Sequence, residues 1–345
     1  MKPFPGFAFF LLMLLRLTQP AYSQSSALSF EHLTEEDGLS NNSVGSILQD
    51  REGFMWFGTL YGLNKYDGYN FTVFQHDPNN PVHTLRGTTP RDIHEDKEGN
   101  LWMTSGGGGG FNKINKHTGS ITTFLDRLGP VFGSLYEDRQ GFLWIGPNGI
   151  IGRLVRFNPK TEEYIQFTNI TGSGRVVAED ASGRFWQLRQ RRLRTFQLNR
   201  HSGKYTLNPD HLFTDTTLIF SSARMDQDGM LWIGTRNKGL FTLNTNASPL
   251  QLRPYNPSPN RHGRALPNGS SGQAGGRVNQ TINDIYEDAD GYLWLATTQG
   301  LQRINKKTNE VITYRSDPAL PGTLSSNNIL CVYKDREGVL WVGTV

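Results

Sequence analysis

The stretch DREGFMWFGT, residues 50–59, decides the fold, because its pattern recurs along the whole chain. In every copy an aspartate lies six residues before a tryptophan, and a glycine lies three residues before it. The seven copies contain all seven tryptophans of the 345-residue chain: Trp56, Trp102, Trp144, Trp186, Trp232, Trp294 and Trp341. Successive tryptophans are 46, 42, 42, 46, 62 and 47 residues apart. Such a period is typical of an array of one supersecondary unit.

Each copy predicts a turn followed by a strand that is buried on both faces. Asp50 can bond its own backbone two residues on, and Gly53 suits a positive φ; Asp288 and Gly291 repeat this arrangement. The residue before the tryptophan is apolar in all seven copies, and the residue after it is apolar in six. Because side chains alternate between the faces of a strand, we interpret the tryptophan row as core packing rather than as a row of sugar-binding aromatics.

Four short strands per repeat predict an all-β fold, a seven-bladed β-propeller of four-stranded antiparallel blades. The first repeat predicts strands over residues 44–49, 54–59, 62–66 and 71–75, and the sixth over residues 282–287, 292–297, 301–304 and 311–315. The segment Leu28–Leu33 is expected to supply the fourth strand of the last blade, because residues 37–42 resemble residues 322–328. The last repeat ends after its second strand, so we expect an incomplete last blade and a fragment of a longer protein.

The first residues read as a targeting signal. Lys2, an apolar run over residues 7–17 and the small residues Ala21 and Ser23 predict a signal peptide over residues 1–23, which leaves a propeller over residues 24–345. The run is shorter than the roughly 20 residues of a membrane-spanning helix. We therefore expect an exported protein. Its single thiol, Cys331, is interpreted as a small buried hydrophobic side chain, and the net charge of +4 is too small to indicate nucleic-acid binding.

The run over residues 38–44, the stretch over residues 50–59 and the run over residues 62–68 together resemble the two-component regulator propeller repeat. The resemblance covers almost the whole mature chain. It implies the extracytoplasmic sensor part of a hybrid two-component histidine kinase, with a periplasmic location. It also implies partners: a saccharide ligand, a further propeller and kinase domains. Histidine kinase activity and membrane attachment would belong to segments absent from this chain, and a homodimer is left open.

Candidate ligand-binding residues are five cations near the ends of the second strands of two neighbouring repeats. Repeat four departs from the Trp-x-Gly-Thr core and carries arginines there, and repeat five has two cations in the same loop: Arg189, Arg191, Arg192, Arg236 and Lys238. In propellers this loop and the loop that leads into strand one share a face. Because arginine forks suit carboxylate and sulfate groups, we hypothesise recognition of an acidic saccharide. The alternative is an ordinary solvated basic surface.

Other features of the sequence predict no chemistry. The glycine run over residues 106–110 lacks the Gly-Lys-Ser/Thr of a phosphate loop. The eight histidines show no metal-ligand spacing, so neither a metal nor a cofactor is predicted. No catalytic constellation is assigned. The alternatives left open are an exported propeller enzyme that acts on glycans, as a lyase or hydrolase, and a protein-interaction scaffold. The wide fifth spacing is attributed to an insertion over residues 244–277.

Overall fold

The computed structural model describes residues 28–345 except 78, 80–83, 107–109, 125–132, 147–152, 172–173, 200–203, 209–214, 216 and 257–279, and it describes residues 168–171 by their backbone alone. The predicted signal peptide and the glycines at 107–109 lie outside these residues. The described part is all-β apart from one 3₁₀ turn, Glu35–Asp37. Its strands form six four-stranded antiparallel sheets and one two-stranded sheet.

Each of the six blades uses consecutive strands of the chain. Blade one contains β1 (Val44–Gln49), β2 (Met55–Thr59), β3 (Gly62–Tyr66) and β4 (Phe71–Phe74). Blade two contains β5 (Thr89–Glu95), β6 (Leu101–Gly106), β7 (Gly110–Ile114) and β8 (Ile121–Thr123). Blade three contains β9 (Leu135–Glu137), β10 (Leu143–Ile145), β11 (Arg153–Phe157) and β12 (Tyr164–Thr171).

The second half follows the same plan. Blade four contains β13 (Arg175–Glu179), β14 (Arg184–Leu188), β15 (Leu193–Leu198) and β16 (Tyr205–Leu207). Blade five contains β17 (Phe220–Met225), β18 (Met230–Thr235), β19 (Leu240–Asn244) and β20 (Leu252–Pro254). Blade six contains β21 (Ile282–Glu287), β22 (Tyr292–Thr297), β23 (Gly300–Asn305) and β24 (Val311–Tyr314). The last sheet is a hairpin of β25 (Ile329–Lys334) and β26 (Leu340–Thr344).

The prediction of a seven-bladed propeller was wrong. The described residues form six blades, because the seventh repeat supplies only the hairpin β25–β26. The segment Leu28–Leu33 is not a strand of that sheet: Phe30 donates one backbone hydrogen bond to Gly322 and packs its ring against Tyr314 of blade six. A fourth strand pairs with a third strand, and the described part of the seventh repeat contains none. The inner strand β25 nevertheless lies between the inner strands of blades six and one, where Asn283 Nδ2 donates to the Ile329 carbonyl at 2.6 Å and Cys331 Sγ lies 3.5 Å from the Val44 carbonyl.

The cores lie between neighbouring blades. Trp56 packs with Leu85, Leu101 and Met103 of the next repeat, and the equivalent Trp294 packs with Ile329 of the hairpin. All five residues of β2, the second strand of blade one, are buried, so the prediction of a strand covered on both faces is confirmed. Six tryptophans are buried and Trp341, in the hairpin, is half-buried. The tryptophan row is therefore structural.

The insertion predicted over residues 244–277 begins later than expected. Its first part forms a regular fourth strand, because β20 pairs with β19 through Leu252 and Leu243. Residues 257–277 lie outside the described part of the chain.

Among the residues that are described, no helix is long and apolar enough to cross a membrane.

Candidate functional site: the axial channel

The seven inner strands, β1, β5, β9, β13, β17, β21 and β25, surround a channel of about 1150 Å³ on the propeller axis. Each of these strands begins after the loop that joins two repeats and ends at the repeat aspartate. The channel therefore opens on the face that carries those loops and the loops between strands two and three. Leu60, Arg189 and Arg236 of the latter loops line this opening.

A β-bulge places one extra residue in most of the inner strands. In five of them the bulge falls five residues before the repeat aspartate, and the bulged residues all line the channel: Gly45, Arg91, Ser221, Asn283 and Leu330. In β13 the bulge lies between Val176 and Ala178. A bulge disrupts the ladder locally and re-aims side chains. The sequence thus uses one repeat position to present variable side chains to the axis.

Polar side chains connect the inner strands around the channel. Arg175 Nη2 donates to the Ser221 carbonyl at 2.7 Å, and Ser221 Oγ donates to the Ile282 carbonyl at 2.6 Å. Asp92 Oδ2 accepts a hydrogen bond from the Leu135 backbone N–H at 2.9 Å. These bonds join blades two and three, four and five, and five and six, and they fix the positions of Arg175 and Asp92.

Two aspartates occupy the same repeat position, four residues before the repeat aspartate, in blades two and six. Asp284 accepts hydrogen bonds from the backbone N–H of Ile285 at 2.8 Å and of Val332 at 3.3 Å. Burial raises the pKa of both Asp92 and Asp284, while their backbone hydrogen bonds act in the opposite direction. The negative charge of Asp284 raises the pKa of Asp92 further, and the Arg175 guanidinium lowers the pKa of both.

The charge of the lining is positive. Five arginines and three acids line the channel, which gives 5 − 3 = +2 with every group ionised: Arg91, Arg175, Arg189, Arg224 and Arg236 against Asp92, Glu179 and Asp284. A cleft with one excess charge and low-dielectric walls concentrates ions of the opposite charge. The arrangement suits an anion. No group of three or more His, Cys, Asp or Glu side chains within the described residues could hold a metal ion.

The five cations singled out in the sequence divide into two groups. Arg189 and Arg236, from neighbouring blades, line the same channel. Arg191, Arg192 and Lys238 are exposed and do not contribute to its lining, and Lys238 Nζ lies 4.0 Å from a carboxylate oxygen of Asp215. The loops fix these positions: Arg189 N–H donates to the Arg192 carbonyl, and Arg236 N–H donates to the Ile219 carbonyl.

Sequence reasoning missed the inner-strand residues. Arg91, Arg175, Arg224, Asp92 and Asp284 lie within strands that were interpreted as structural only. The sequence does contain a signal for the two aspartates, at the position four residues before each repeat aspartate. In five repeats this position holds a small or apolar side chain, and in two it holds an aspartate: Ser46, Asp92, Ser134, Val176, Ser222, Asp284 and Cys331. A charged residue on a strand that faces the axis is the exception that marks the site.

Four segments match the family model described as the two component regulator propeller: residues 38–61, 127–149, 276–299 and 323–345. The chain carries two component regulator propeller repeats. The matched segments belong to repeats one, three, six and seven, and they exclude Arg189 and Arg236.

The chain spans only a small part of two of the proteins that it resembles. The chain is 45% identical over 56 residues to Histidine kinase P4 of Formosa agariphila, which is 16% of this chain and 4% of that protein. Among solved structures, the extracellular domain of a protein described as a one component system of B. thetaiotaomicron matches with a TM-score of 0.67 and 19% identity, over 92% of this chain and 39% of that one. Virginiamycin B lyase from Staphylococcus aureus matches with a TM-score of 0.61 and 13% identity, over 88% and 92%. At these identities the structural matches show the fold alone.

Proposed function

We propose that this propeller is the exported, periplasmic ligand-sensing part of a two-component sensor and that it binds an acidic saccharide in the axial channel. The positively charged lining of the channel carries the proposal, because Arg189 and Arg236 reach its opening from two neighbouring blades. Arginine forks bind carboxylate and sulfate groups through paired hydrogen bonds. The repeat family and the short kinase match support a role in signalling. The kinase output would lie in other segments of a longer protein.

Calorimetric titration of the whole chain with acidic oligosaccharides, and with neutral ones of equal length, tests this function. We expect saturable binding of an acidic oligosaccharide only. Replacing Arg236 with alanine should weaken that binding by about tenfold or more, since charge-assisted hydrogen bonds contribute roughly 1.5–3 kcal/mol. Arg191→Ala is the matched control, because Arg191 is an exposed arginine in a loop of the same face but outside the channel lining.

The outcomes separate the competing functions. If Arg191→Ala weakens binding as much as Arg236→Ala, the ligand lies on the outer face rather than in the channel. If the oligosaccharide is cleaved during titration, the enzyme alternative replaces the sensor. If no oligosaccharide binds, a scaffold that contacts other protein domains accounts better for the basic face.

A further inference from the structure

Asp92 and Asp284 line the channel that is proposed to bind an anion, although ionised carboxylates repel an anion. Asp284 lies two residues past the start of β21, and Asp92 lies three residues past the start of β5. At about 3.3 Å per residue, the two aspartates lie roughly 7–10 Å along their strands from the loop face that carries the arginines of the opening. An anion that enters the channel therefore approaches two carboxylates.

We propose that the axial channel takes up a proton together with its anion, with Asp92 and Asp284 as the proton acceptors and the channel arginines as the anion contacts. The inference rests on the proposed function for the site, and it names how that site is regulated. Binding of the proton favours binding of the anion, because it neutralises carboxylates that would repel the anion. Binding of the anion favours binding of the proton, because it offsets the positive charge of the arginines. The ligand class is an oxyanion that carries a sulfate or carboxylate group.

The charges around the two aspartates support this coupling. Asp92 has Arg91 beside it on β5 and Arg175 facing it from β13, and Asp284 has Arg224 facing it from β17. The Arg224 guanidinium lies 5.8 Å from the centre of the Tyr286 ring, which keeps it beside β21. With both aspartates ionised the lining carries +2, and with both protonated it carries +4. Doubling the excess charge strengthens attraction for an anion in a channel shielded from bulk water.

The other titratable groups that face the channel lie on strands other than β5 and β21, and each has its own surroundings. The Tyr136 hydroxyl oxygen on β9 accepts a hydrogen bond from the Glu179 backbone N–H at 2.9 Å, and burial raises the pKa of Tyr136. Glu179 on β13, which also lines the channel, accepts a hydrogen bond from the Arg139 backbone N–H at 3.1 Å. Cys331 on β25 is buried, and burial raises the pKa of its thiol. Strand β1 contributes Gly45, Ser46 and Ile47, which do not titrate. Burial raises the pKa of Asp92 and Asp284 from the usual value of 3.8, which moves their change of charge to higher pH.

Calorimetry of the whole chain with inorganic sulfate, between about pH 8 and about pH 5, tests the inference. We expect sulfate to bind several-fold to tenfold more tightly at the lower pH, with net proton uptake that shows as a dependence of the heat on the buffer. The double variant Asp92→Asn, Asp284→Asn mimics the protonated pair, and an asparagine oxygen can still accept the Leu135 and Val332 N–H groups. We expect this variant to bind sulfate tightly at both pH values without proton uptake.

Two controls keep the test decisive. Asp290→Asn removes an exposed carboxylate on the far side of the propeller, and it should leave the pH dependence of the wild type unchanged. Carboxyl ¹³C chemical shifts of the wild type, recorded with and without sulfate, report the protonation of the aspartates without any substitution. Sulfate binding that is independent of pH, or a double variant that keeps the wild-type pH dependence, overturns the inference.

The two proposals fail in different ways. Proton-linked sulfate binding without any oligosaccharide binding would leave the coupled site intact and remove the saccharide as its ligand. Oligosaccharide binding that depends on Arg236 but not on pH would keep the sensor function and reject the coupling. Absence of sulfate binding at either pH would also reject the coupling.

Discussion

The repeat aspartate connects the turn of each blade to its tryptophan. Asp96 Oδ1 accepts the backbone N–H of Glu98 at 3.0 Å and of Asn100 at 2.8 Å, while Oδ2 accepts Trp102 Nε1 at 2.6 Å. The indole bond recurs in all seven repeats, at 2.6–3.0 Å. The aspartate is therefore required for a buried donor as well as for the turn, which explains why its distance from the tryptophan never varies.

Replacing Asp96 with alanine should lower the free energy of unfolding by about 3 kcal/mol, because a buried indole N–H and two backbone N–H groups lose their acceptor. Urea denaturation followed by tryptophan fluorescence measures the loss. Asp335→Ala is the matched comparison, since Asp335 and Trp341 are only half-buried and water can replace the carboxylate. We expect it to cost about 1 kcal/mol. Equal losses would show that burial of the indole does not determine the effect.

A single residue also explains the Trp-x-Gly core of strand two. A Cβ built on Gly234 of blade five would lie 2.8 Å from Ile282 Cβ of blade six, and it would also meet the Ser222 side chain. Neighbouring blades therefore approach closely only where strand two has a small side chain, and Ala296 fills this position in blade six.

We expect Gly234→Ala to lower the free energy of unfolding by roughly 1–3 kcal/mol, the usual cost of an added methyl group in a close-packed contact. The measurement is thermal and urea denaturation of the whole chain. Gly45→Ala serves as the control, because nothing lies within 4 Å of a Cβ at that position and its φ is not positive. A Gly45 variant as unstable as the Gly234 variant would refute the steric explanation.

At the scale of whole elements, lysines in the turn after strand three join neighbouring blades. Lys306 of blade six bonds Asp226 Oδ2 of blade five at 3.0 Å and Glu287 Oε1 at 2.5 Å. Lys116 of blade two repeats this arrangement with Asp50 of blade one at 3.3 Å. Burial opposes the charge of Lys306, but its hydrogen bonds to Glu287 and Asp226 outweigh burial, so the pKa of Lys306 is raised. For Asp226 burial is likewise outweighed, by bonds from Trp232, the Met230 N–H and Lys306, and its pKa is lowered.

Lys306→Met should cost about 2–3 kcal/mol near neutral pH, because it leaves buried carboxylates without their partner. The stabilisation by Lys306 is fully present below the unfolded lysine pKa of 10.5 and disappears as the pH rises through the higher folded value. The contribution of Asp226 is present above its unfolded pKa of 3.8 and disappears as the pH falls through the lower folded value. The difference between wild type and variant should therefore be constant in mid-range and shrink in acid. Urea denaturation at several pH values measures it, with the exposed neighbour Lys307→Met as control; a difference that grows in acid contradicts the account.

The sequence predicts elements well where one repeat supplies all its own strands. The predicted bounds of two strands of the first repeat and two strands of the sixth agree with β1, β3, β21 and β22, because Asp, Gly and Trp fix the register on either side of each turn. The prediction failed for Leu28–Leu33, whose pattern suits a strand, because the described part of the seventh repeat supplies no third strand for it to pair with. Of the residues that line the channel, the sequence analysis predicted the loop arginines but not the aspartates of the inner strands. Loop arginines stand out in the sequence, whereas Asp92 and Asp284 acquire significance only when seven strands are brought around one axis.

At the scale of the whole molecule, the hairpin β25–β26 closes the ring of inner strands between blades six and one. Arg336, in its turn, donates through Nε and its backbone N–H to Gln49 Oε1 at 3.1 and 2.9 Å, and through Nη1 to the Arg51 carbonyl at 3.2 Å. Gln49 Nε2 in turn donates to Glu337 at 2.7 Å. We call the contact of Arg336 and Glu337 with Gln49 and Arg51, together with the neighbouring buried Cys331, the seam, because the first and the last repeat meet there.

The single thiol makes that seam measurable. Cys331 is buried and burial raises the pKa of its thiol, so a thiol reagent should label the native chain only when the seam opens. We expect slow labelling of the native protein, one equivalent of rapid labelling in denaturant, and about tenfold faster native labelling in Arg336→Ala, which loses hydrogen bonds to a neighbouring blade worth roughly 1.5 kcal/mol. Arg253→Ala, which removes an exposed arginine from β20, should label at the wild-type rate. Rapid labelling of the wild type would mean that the hairpin does not hold the ring closed, and equal rates for both arginine variants would mean that labelling follows global unfolding rather than opening of this seam.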